Sequence, residues 1–132
     1  MSNQVPLPSG RAPALRVVPM PSNTNQHGLI FGGWLMAQMD IACFTRAVER
    51  TKGLVATVAV NNIVFKAPIH VGDIVNIYVE IVRVGNTSLT LSLEVYSERP
   101  FDNMKTYHIA SGEMVFVAID ENQRPRPIPP EA

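Results

Sequence analysis

Residues 32–44 read GGWLMAQMDIACF, and this stretch decides the fold. After the two glycines, its only polar side chains are those of Gln38 and Asp40. We predict one long helix over residues 34–50, with cations near its end that suit the helix dipole and Gly53 as its stop. A helix that is apolar nearly all round must be covered on most of its circumference.

The rest of the chain supplies the cover. Alternating and β-branched patterns predict strands over residues 14–18, 55–65, 74–84, 87–97 and 105–119. A flat sheet covers only one side of a helix, so the strands must curl around it and another surface must cover the remainder. We therefore predict an α+β fold, in which a curved antiparallel β-sheet wraps one long central helix and two such sheets join in a dimer.

Composition predicts a single domain. The chain has 132 residues, of which 46% are hydrophobic, and its 11 basic and 11 acidic side chains cancel. We assign residues 14–122 to the domain, 1–13 to a flexible Pro-rich arm and 123–132 to an extended Pro-rich tail. The charge balance argues against a nucleic-acid partner, and no apolar run is long enough for a membrane span. With one cysteine, Cys43, expected to be an inert core thiol, we predict a cytoplasmic protein.

Asp40 is the chemical anomaly of the helix. An isolated buried carboxylate costs several kcal/mol unless it is paired or hydrogen-bonded. One interpretation is a structural aspartate bonded to a Thr or Asn of a neighbouring strand. The other is a general base or nucleophile that faces a cleft. The three histidines lack metal-ligand spacing, so we expect no metal site.

Two further features accompany Asp40. Gly32-Gly33 opens the helix, where free amides bind developing negative charge, although glycine also serves a simple turn. Asn25, in the preceding polar loop, is either an amide donor or a turn residue. Asp40 lies eight residues past Gly32, or roughly 12 Å along the helix. One substrate carbonyl can hardly touch both in one chain, so we predict a two-fold dimer that brings Gly32 and Asn25 of one subunit to Asp40 of the other.

A family resemblance makes the predicted site more specific. Residues 20–40, MPSNTNQHGLIFGGWLMAQMD, closely resemble the acyl-CoA hydrolase branch of the hotdog thioesterases, the bacterial YciA type. Residues 65–73 (FKAPIHVGD), the turn 85–88 (GNTS) and the ending 124–129 (RPRPIP) resemble that family too. The resemblance runs from about Leu15 to the C-terminus.

The resemblance implies a hotdog fold and hydrolysis of acyl-CoA to free acid and CoA. Asp40 would activate water or attack the thioester, while the Gly32 amide, with Gly33 beside it, and Asn25 polarise the carbonyl. Some relatives place a hydroxyl one helical turn beyond the acid, where this chain has Phe44. The CoA moiety would contact the turn Gly85-Asn86-Thr87-Ser88. The resemblance also implies a trimer of dimers and no cofactor, because CoA is part of the substrate and product.

Several alternatives stay open at this stage. A hotdog dehydratase acting on 3-hydroxyacyl thioesters would use a histidine paired with an acid, and His27 lies near the helix start. A non-catalytic acyl-CoA binding module is the third option. The acyl chain length is not predicted, nor is a choice among the possible phosphate partners, which are Lys66, Arg83, Arg99, Lys105, Arg124 and Arg126.

Overall fold

One helix and five strands make up the fold in a computed structural model that describes residues 4–131. The elements are β1 (Leu15–Val17), α1 (Gly32–Thr51), β2 (Val55–Phe65), β3 (Ile74–Val84), β4 (Ser88–Arg99) and β5 (Lys105–Ala118), with short 3-10 turns at Pro21–Asn23 and Pro100–Asp102. All strand pairs are antiparallel, in the order β1-β3-β4-β5-β2. The α+β prediction of one long helix against a curved antiparallel sheet is confirmed.

The core lies between α1 and the sheet. The alternation predicted for β4 is confirmed, because Leu89, Leu91, Leu93 and Val95 are all buried. On the helix, the buried set is Leu35, Met39, Ala42, Cys43, Ala47 and Thr51. The sheet thus covers one face of α1, and each turn of the helix contributes at least one side chain to the core.

The ends of α1 differ from the prediction. The helix begins at Gly32 rather than at residue 34, because the two glycines adopt helical geometry even though they add nothing to the apolar pattern. It ends at Thr51, and the left-handed residue that stops it is Lys52, with φ of 57°, rather than Gly53. Glycine is required at position 53 for a steric reason, because a Cβ there would lie 2.5 Å from Nη2 of Arg126.

One apolar surface is left uncovered in the single chain. It comprises part of α1 and part of β2, the strand at one end of the sheet order. Its exposed side chains are Met36, Ile41 and Phe44 on α1 and Val60 and Phe65 on β2, whose strand partners Met114 and Ala110 are buried. We call this set the α1–β2 face. Two register shifts in the pairing of β2 with β5 twist this edge strand.

The N-terminal segment forms backbone hydrogen bonds to the domain where the structure describes it. The Val5 amide donates to the Thr106 carbonyl at 3.0 Å, and the Ala14 amide donates to Ile77 at 2.8 Å. Residues 1–3 of the predicted arm and residue 132 of the predicted tail lie outside the described residues. The longest helix within residues 4–131 is α1. Its sequence is not apolar over enough residues to cross a membrane.

Candidate active site

Asp40 forms a pair with Thr57. Asp40 projects from the middle of α1 toward β2, where the Thr57 hydroxyl donates to its Oδ1 atom at 2.7 Å. Asp40 is partly buried, and two residues of the α1–β2 face, Met36 and Phe44, lie one helical turn before and after it. One oxygen of Asp40 is therefore held by a neutral donor, and no other partner for the carboxylate lies within residues 4–131.

Thr57 was not named from the sequence, although a bond from Asp40 to a Thr or Asn of a neighbouring strand was one of the two interpretations, and the hydrogen-bond geometry matches that contact. Some relatives place a supporting hydroxyl one turn beyond the acid, where this chain has Phe44 followed by Thr45. The Thr45 hydroxyl instead donates to the Ala42 carbonyl at 2.9 Å, within the helix. One signal for Thr57 was available: it is the only hydroxyl-bearing residue in β2, the strand that directly follows the helix.

The start of α1 offers backbone donors. The first helical hydrogen bond is donated by Leu35 to the Phe31 carbonyl, so the amides of Gly32, Gly33 and Trp34 come before the helical ladder. The N-cap residue, Phe31, supplies no side-chain acceptor for them. Apart from its neighbours in the same helix turn, no atom of the described chain would lie within 4 Å of a Cβ placed on Gly33. The space beside this end of the helix is therefore unfilled in the single chain.

Asn25 holds its own loop through one side of its amide. Its Oδ1 atom accepts from the backbone amides of His27 at 2.9 Å and Leu29 at 3.2 Å. The turn interpretation of Asn25 is therefore correct for the oxygen. These two donors also fix which end of the amide is the oxygen. The Nδ2 donors find no acceptor within residues 4–131, which leaves them available to a ligand.

A single chain does not bring all these groups together. Gly32 and Asp40 lie on one continuous α-helix, and eight residues at 1.5 Å separate them by roughly 12 Å along its axis. The Asn25 loop belongs with the helix start, because the Phe31 amide donates to the Asn23 carbonyl at 3.1 Å. The donors and the acid thus form two half-sites on each chain.

An apolar cleft adjoins the donor half-site. It has a volume of about 400 Å³ and lies between the start of α1 and the end of β2. Gly32 forms part of its wall, and a Cβ there would lie 3.5 Å from the Phe65 ring. The remaining lining includes Ile30, Phe31, Leu35, Ile69 and Ile109.

The predicted CoA turn is a hairpin between β3 and β4. The Gly85 amide donates to the Ser88 carbonyl at 2.7 Å, and the Thr87 carbonyl accepts from Ala118 at 2.8 Å. The Asn86 carbonyl accepts from Ile128 at 2.8 Å. The side chains of Asn86, Thr87 and Ser88 make no hydrogen bond within residues 4–131, so they remain available.

The structure distinguishes three of the six possible phosphate partners that the sequence left unranked. Arg99 forms a two-point ion pair with the fully buried Asp73, both contacts at 2.9 Å. Because of that hydrogen bond to Asp73, the pKa of Arg99 is raised further. The Arg126 guanidinium is bound to three backbone carbonyls. Neither Arg99 nor Arg126 is therefore available to a phosphate, whereas Arg83, two residues before Gly85, has no side-chain partner in the described chain.

The remaining nucleophile and histidine candidates are occupied or isolated. Cys43 is fully buried, and burial together with the nearby Asp40 charge raises its pKa to about 12. His27 is exposed in its loop, and no acid contacts its ring in the described chain. His108 does contact an acid, with Nε2 lying 2.6 Å from Glu94, but both belong to strands β5 and β4 rather than to the helix.

Comparison with known proteins places these features in a family. A model of the thioesterase superfamily matches residues 27–100, which include α1 and the Gly85–Ser88 turn. The chain therefore belongs to the thioesterase superfamily. Among curated proteins, it is 39% identical to the acyl-CoA thioester hydrolase YciA of Escherichia coli, over 89% of this chain and 90% of the relative. It is 42% identical to an uncharacterized acyl-CoA thioester hydrolase of Zymomonas mobilis, over 98% and 91% of the two chains.

Solved structures similar to this chain are thioesterases too. A hexameric thioesterase from Yersinia pestis is 37% identical and superposes with a TM-score of 0.88, over 94% of this chain and all of the other. A hexameric broad-specificity acyl-coenzyme A thioesterase, solved as a mutant with an aspartate replaced by alanine, is 39% identical with a TM-score of 0.87, over 91% and 88%. These neighbours confirm the predicted hotdog fold.

Proposed function

We propose that this protein is an acyl-CoA thioesterase that hydrolyses acyl-CoA to the free acid and CoA in a site shared between two subunits. The relatives at about 40% identity are named as acyl-CoA thioester hydrolases, and they match most of this chain. The observation that carries the proposal is that Asp40, a half-buried acid, is held by the Thr57 hydroxyl through one oxygen only, while its other oxygen has no partner in residues 4–131.

The chemistry follows from what each group can donate or accept. The Thr57 hydroxyl holds Oδ1 of Asp40, so the other carboxylate oxygen can take a proton from water. The water oxygen bonds to the thioester carbon, and the carbonyl oxygen becomes an oxyanion. The Gly32 amide and the Asn25 Nδ2 group of the partner subunit donate to that oxyanion. When the C–S bond breaks, the proton on Asp40 passes to the departing thiolate, which yields acid and CoA. No cofactor takes part.

A second route is direct attack by Asp40 on the thioester carbon, which forms an anhydride that water then cleaves. A single turnover in ¹⁸O-labelled water separates the two routes. With general-base catalysis, the label enters only the released acid. With an anhydride, cleavage at the aspartyl carbon leaves label in the Asp40 side chain, which mass spectrometry of the digested protein detects.

The shared site follows from the two half-sites. A second copy across the α1–β2 face would cover its apolar side chains and could bring one chain's helix start to the other chain's Asp40. The edge position of β2 supports this arrangement, because its outer backbone groups have no strand partner in residues 4–131. The hexameric neighbours support further assembly as a trimer of dimers.

Substrate binding can be assigned on the same basis. The apolar cleft beside Gly32 suits the acyl chain, because it starts at the amide that would bind the carbonyl oxygen. The Gly85–Ser88 turn, with three available polar side chains, suits the pantetheine or phosphate oxygens of CoA. Arg83 is the cation that we assign to a phosphate, because it lies beside that turn without a competing partner.

Release of free thiol from acyl-CoA tests the proposal. Asp40→Asn keeps the size of the side chain but removes the base, so kcat should fall by roughly 10² to 10⁴ while substrate binding persists. A panel from acetyl-CoA to palmitoyl-CoA gives the chain-length preference. Full hydrolysis by Asp40→Asn would contradict the site. Binding without turnover in the unmodified protein would indicate a binding module, and an enoyl product from a 3-hydroxyacyl-CoA would indicate a dehydratase.

A further inference from the structure

The chain returns to the helix after its last strand. The Asp120 amide donates to the Arg124 carbonyl at 2.8 Å and closes a turn, and Gln123 within it adopts φ of 62°. The Arg126 amide then donates to Ala118 at 2.9 Å, and the Ile128 amide donates to Asn86 in the CoA turn at 2.8 Å. This C-terminal segment therefore runs back across the end of the sheet.

Arg126 is the centre of the segment. Its guanidinium donates through Nε to the Ile119 carbonyl at 2.9 Å, through Nη1 to Thr51 at 3.1 Å and through Nη2 to Leu54 at 3.3 Å. A guanidinium is planar and rigid, so it fixes its acceptors relative to one another. Its positive charge also suits the C-terminal end of a helix dipole. Gly53 passes so close that any Cβ there would collide with Nη2.

Two of the three acceptors lie in or directly next to the elements that carry the proposed catalytic pair. Thr51 is the last residue of α1, which carries Asp40, and Leu54 immediately precedes β2, which carries Thr57 three residues later. The connection between α1 and β2 is only three residues long, and Arg126 binds both of its ends. Movement of the helix end away from the strand start would break one of these bonds or lengthen the 2.7 Å Asp40–Thr57 contact.

We infer that Arg126 is a positioning residue for the proposed hydrolysis, acting through the Asp40–Thr57 hydrogen bond. This inference rests on the proposed function. A displacement of about 1 Å at a catalytic group is enough to cost roughly 100-fold in rate, even when the mutation lies away from the reacting atoms. Arg126 therefore affects kcat although it touches no part of the substrate.

Steady-state kinetics on acyl-CoA tests the inference with three variants. Arg126→Ala should lower kcat by roughly 10- to 100-fold with KM changed by less than about threefold. Arg126→Lys keeps the charge but cannot reach all three carbonyls, so its kcat should lie between. Glu121→Ala, which removes an exposed charged side chain from the same segment, should keep kcat. Guanidinium chloride at non-denaturing concentrations should restore kcat in Arg126→Ala alone. An unchanged kcat in Arg126→Ala would overturn the inference.

A double-mutant cycle separates positioning from general stabilisation. If Arg126 acts through Thr57, then Thr57→Ala with Arg126→Ala should have nearly the kcat of Thr57→Ala alone. Multiplication of the two losses would overturn the inference. A crystal structure of Arg126→Ala, or of Arg126→Lys if the alanine variant does not fold, should show the Asp40–Thr57 contact lengthened beyond 3.5 Å. An unchanged contact would also overturn it. That readout needs no turnover, so it stands even if the proposed function fails.

Discussion

Mixing two inactive variants gives the sharpest test of the shared site. One chain carries Asp40→Asn and the other carries Asn25→Ala. Because Asp40 and the helix start are roughly 12 Å apart along one helix, the proposed site takes its acid from one subunit and its donors from the other. In a mixed dimer, both defects then fall in one site, and the second site has an intact Asp40 and an intact Asn25.

The expected recovery can be worked out. With random pairing, half of the dimers are mixed and each has one intact site of two, so thiol release should reach about a quarter of the unmutated activity. Each variant alone should show about 1% or less, because removal of a base or of an oxyanion donor costs at least roughly 100-fold. The mixture is made by co-expression with two different tags, and thiol release is measured at equal protein concentration.

The matched control pairs Asp40→Asn with Thr57→Ala. These two side chains contact each other within one chain, at 2.7 Å. No site in their mixed dimer has both residues intact, so no recovery beyond the Thr57→Ala level is expected. If the Asp40→Asn and Asn25→Ala mixture stays at the level of the separate variants, the two-subunit reasoning is refuted and the site lies within one chain.

Three further outcomes are expected. Thr57→Ala should lower kcat by roughly 10- to 100-fold, because a hydrogen bond to a charged group is worth about 1.5–3 kcal/mol, and Thr57→Ser should retain most activity. Cys43 has its pKa raised to about 12 from 9.0, so the folded state holds the thiol proton more tightly and stability falls as pH rises above 9. At pH 10, urea unfolding should show a loss of about 1.4 kcal/mol relative to pH 8 that Cys43→Ala does not show. Gly112→Ala places a Cβ against Cδ1 of Ile63, so unfolding should become easier by about 1–3 kcal/mol, and added Ile63→Val should recover part of that loss.

The sequence predicted the elements well where side-chain patterns are regular. Alternation located β4 and its buried face, and the apolar run located α1. The helix start was misplaced by two residues because glycine has no side chain to register in such a pattern. Gly53 was predicted to end the helix because glycine commonly does so. In the structure the left-handed residue at the helix end is Lys52, and Gly53 instead leaves room for the Arg126 guanidinium.

Long-range contacts explain what the sequence could not predict. The sequence allowed a bond from Asp40 to a Thr or Asn of a neighbouring strand but could not identify Thr57, because the contact spans 17 residues and depends on how β2 follows α1. Arg126 was grouped with possible phosphate partners, because its three acceptors are backbone carbonyls that leave no trace in side-chain patterns. The two interpretations of Asn25 turned out to be compatible, since the turn occupies the oxygen and leaves the nitrogen.

On the proposed arrangement, assembly and catalysis have one physical cause. Covering a half-exposed apolar side chain contributes about 1 kcal/mol, so the α1–β2 faces of two subunits together supply on the order of 10 kcal/mol. That is comparable to the roughly 4–15 kcal/mol cost of association, so pairing of β2 edges and further contacts must add the remainder. Met36, Ile41 and Phe44, which supply part of this energy, lie beside Asp40 on α1. Bulk solvent, apart from the water that Asp40 activates, is therefore excluded around the acid only when a partner is present, and the same partner supplies the oxyanion donors. A separated subunit would keep the Asp40–Thr57 pair. It would lack the partner's oxyanion donors and the shielding of Asp40 from bulk solvent, so a folded monomer should be inactive.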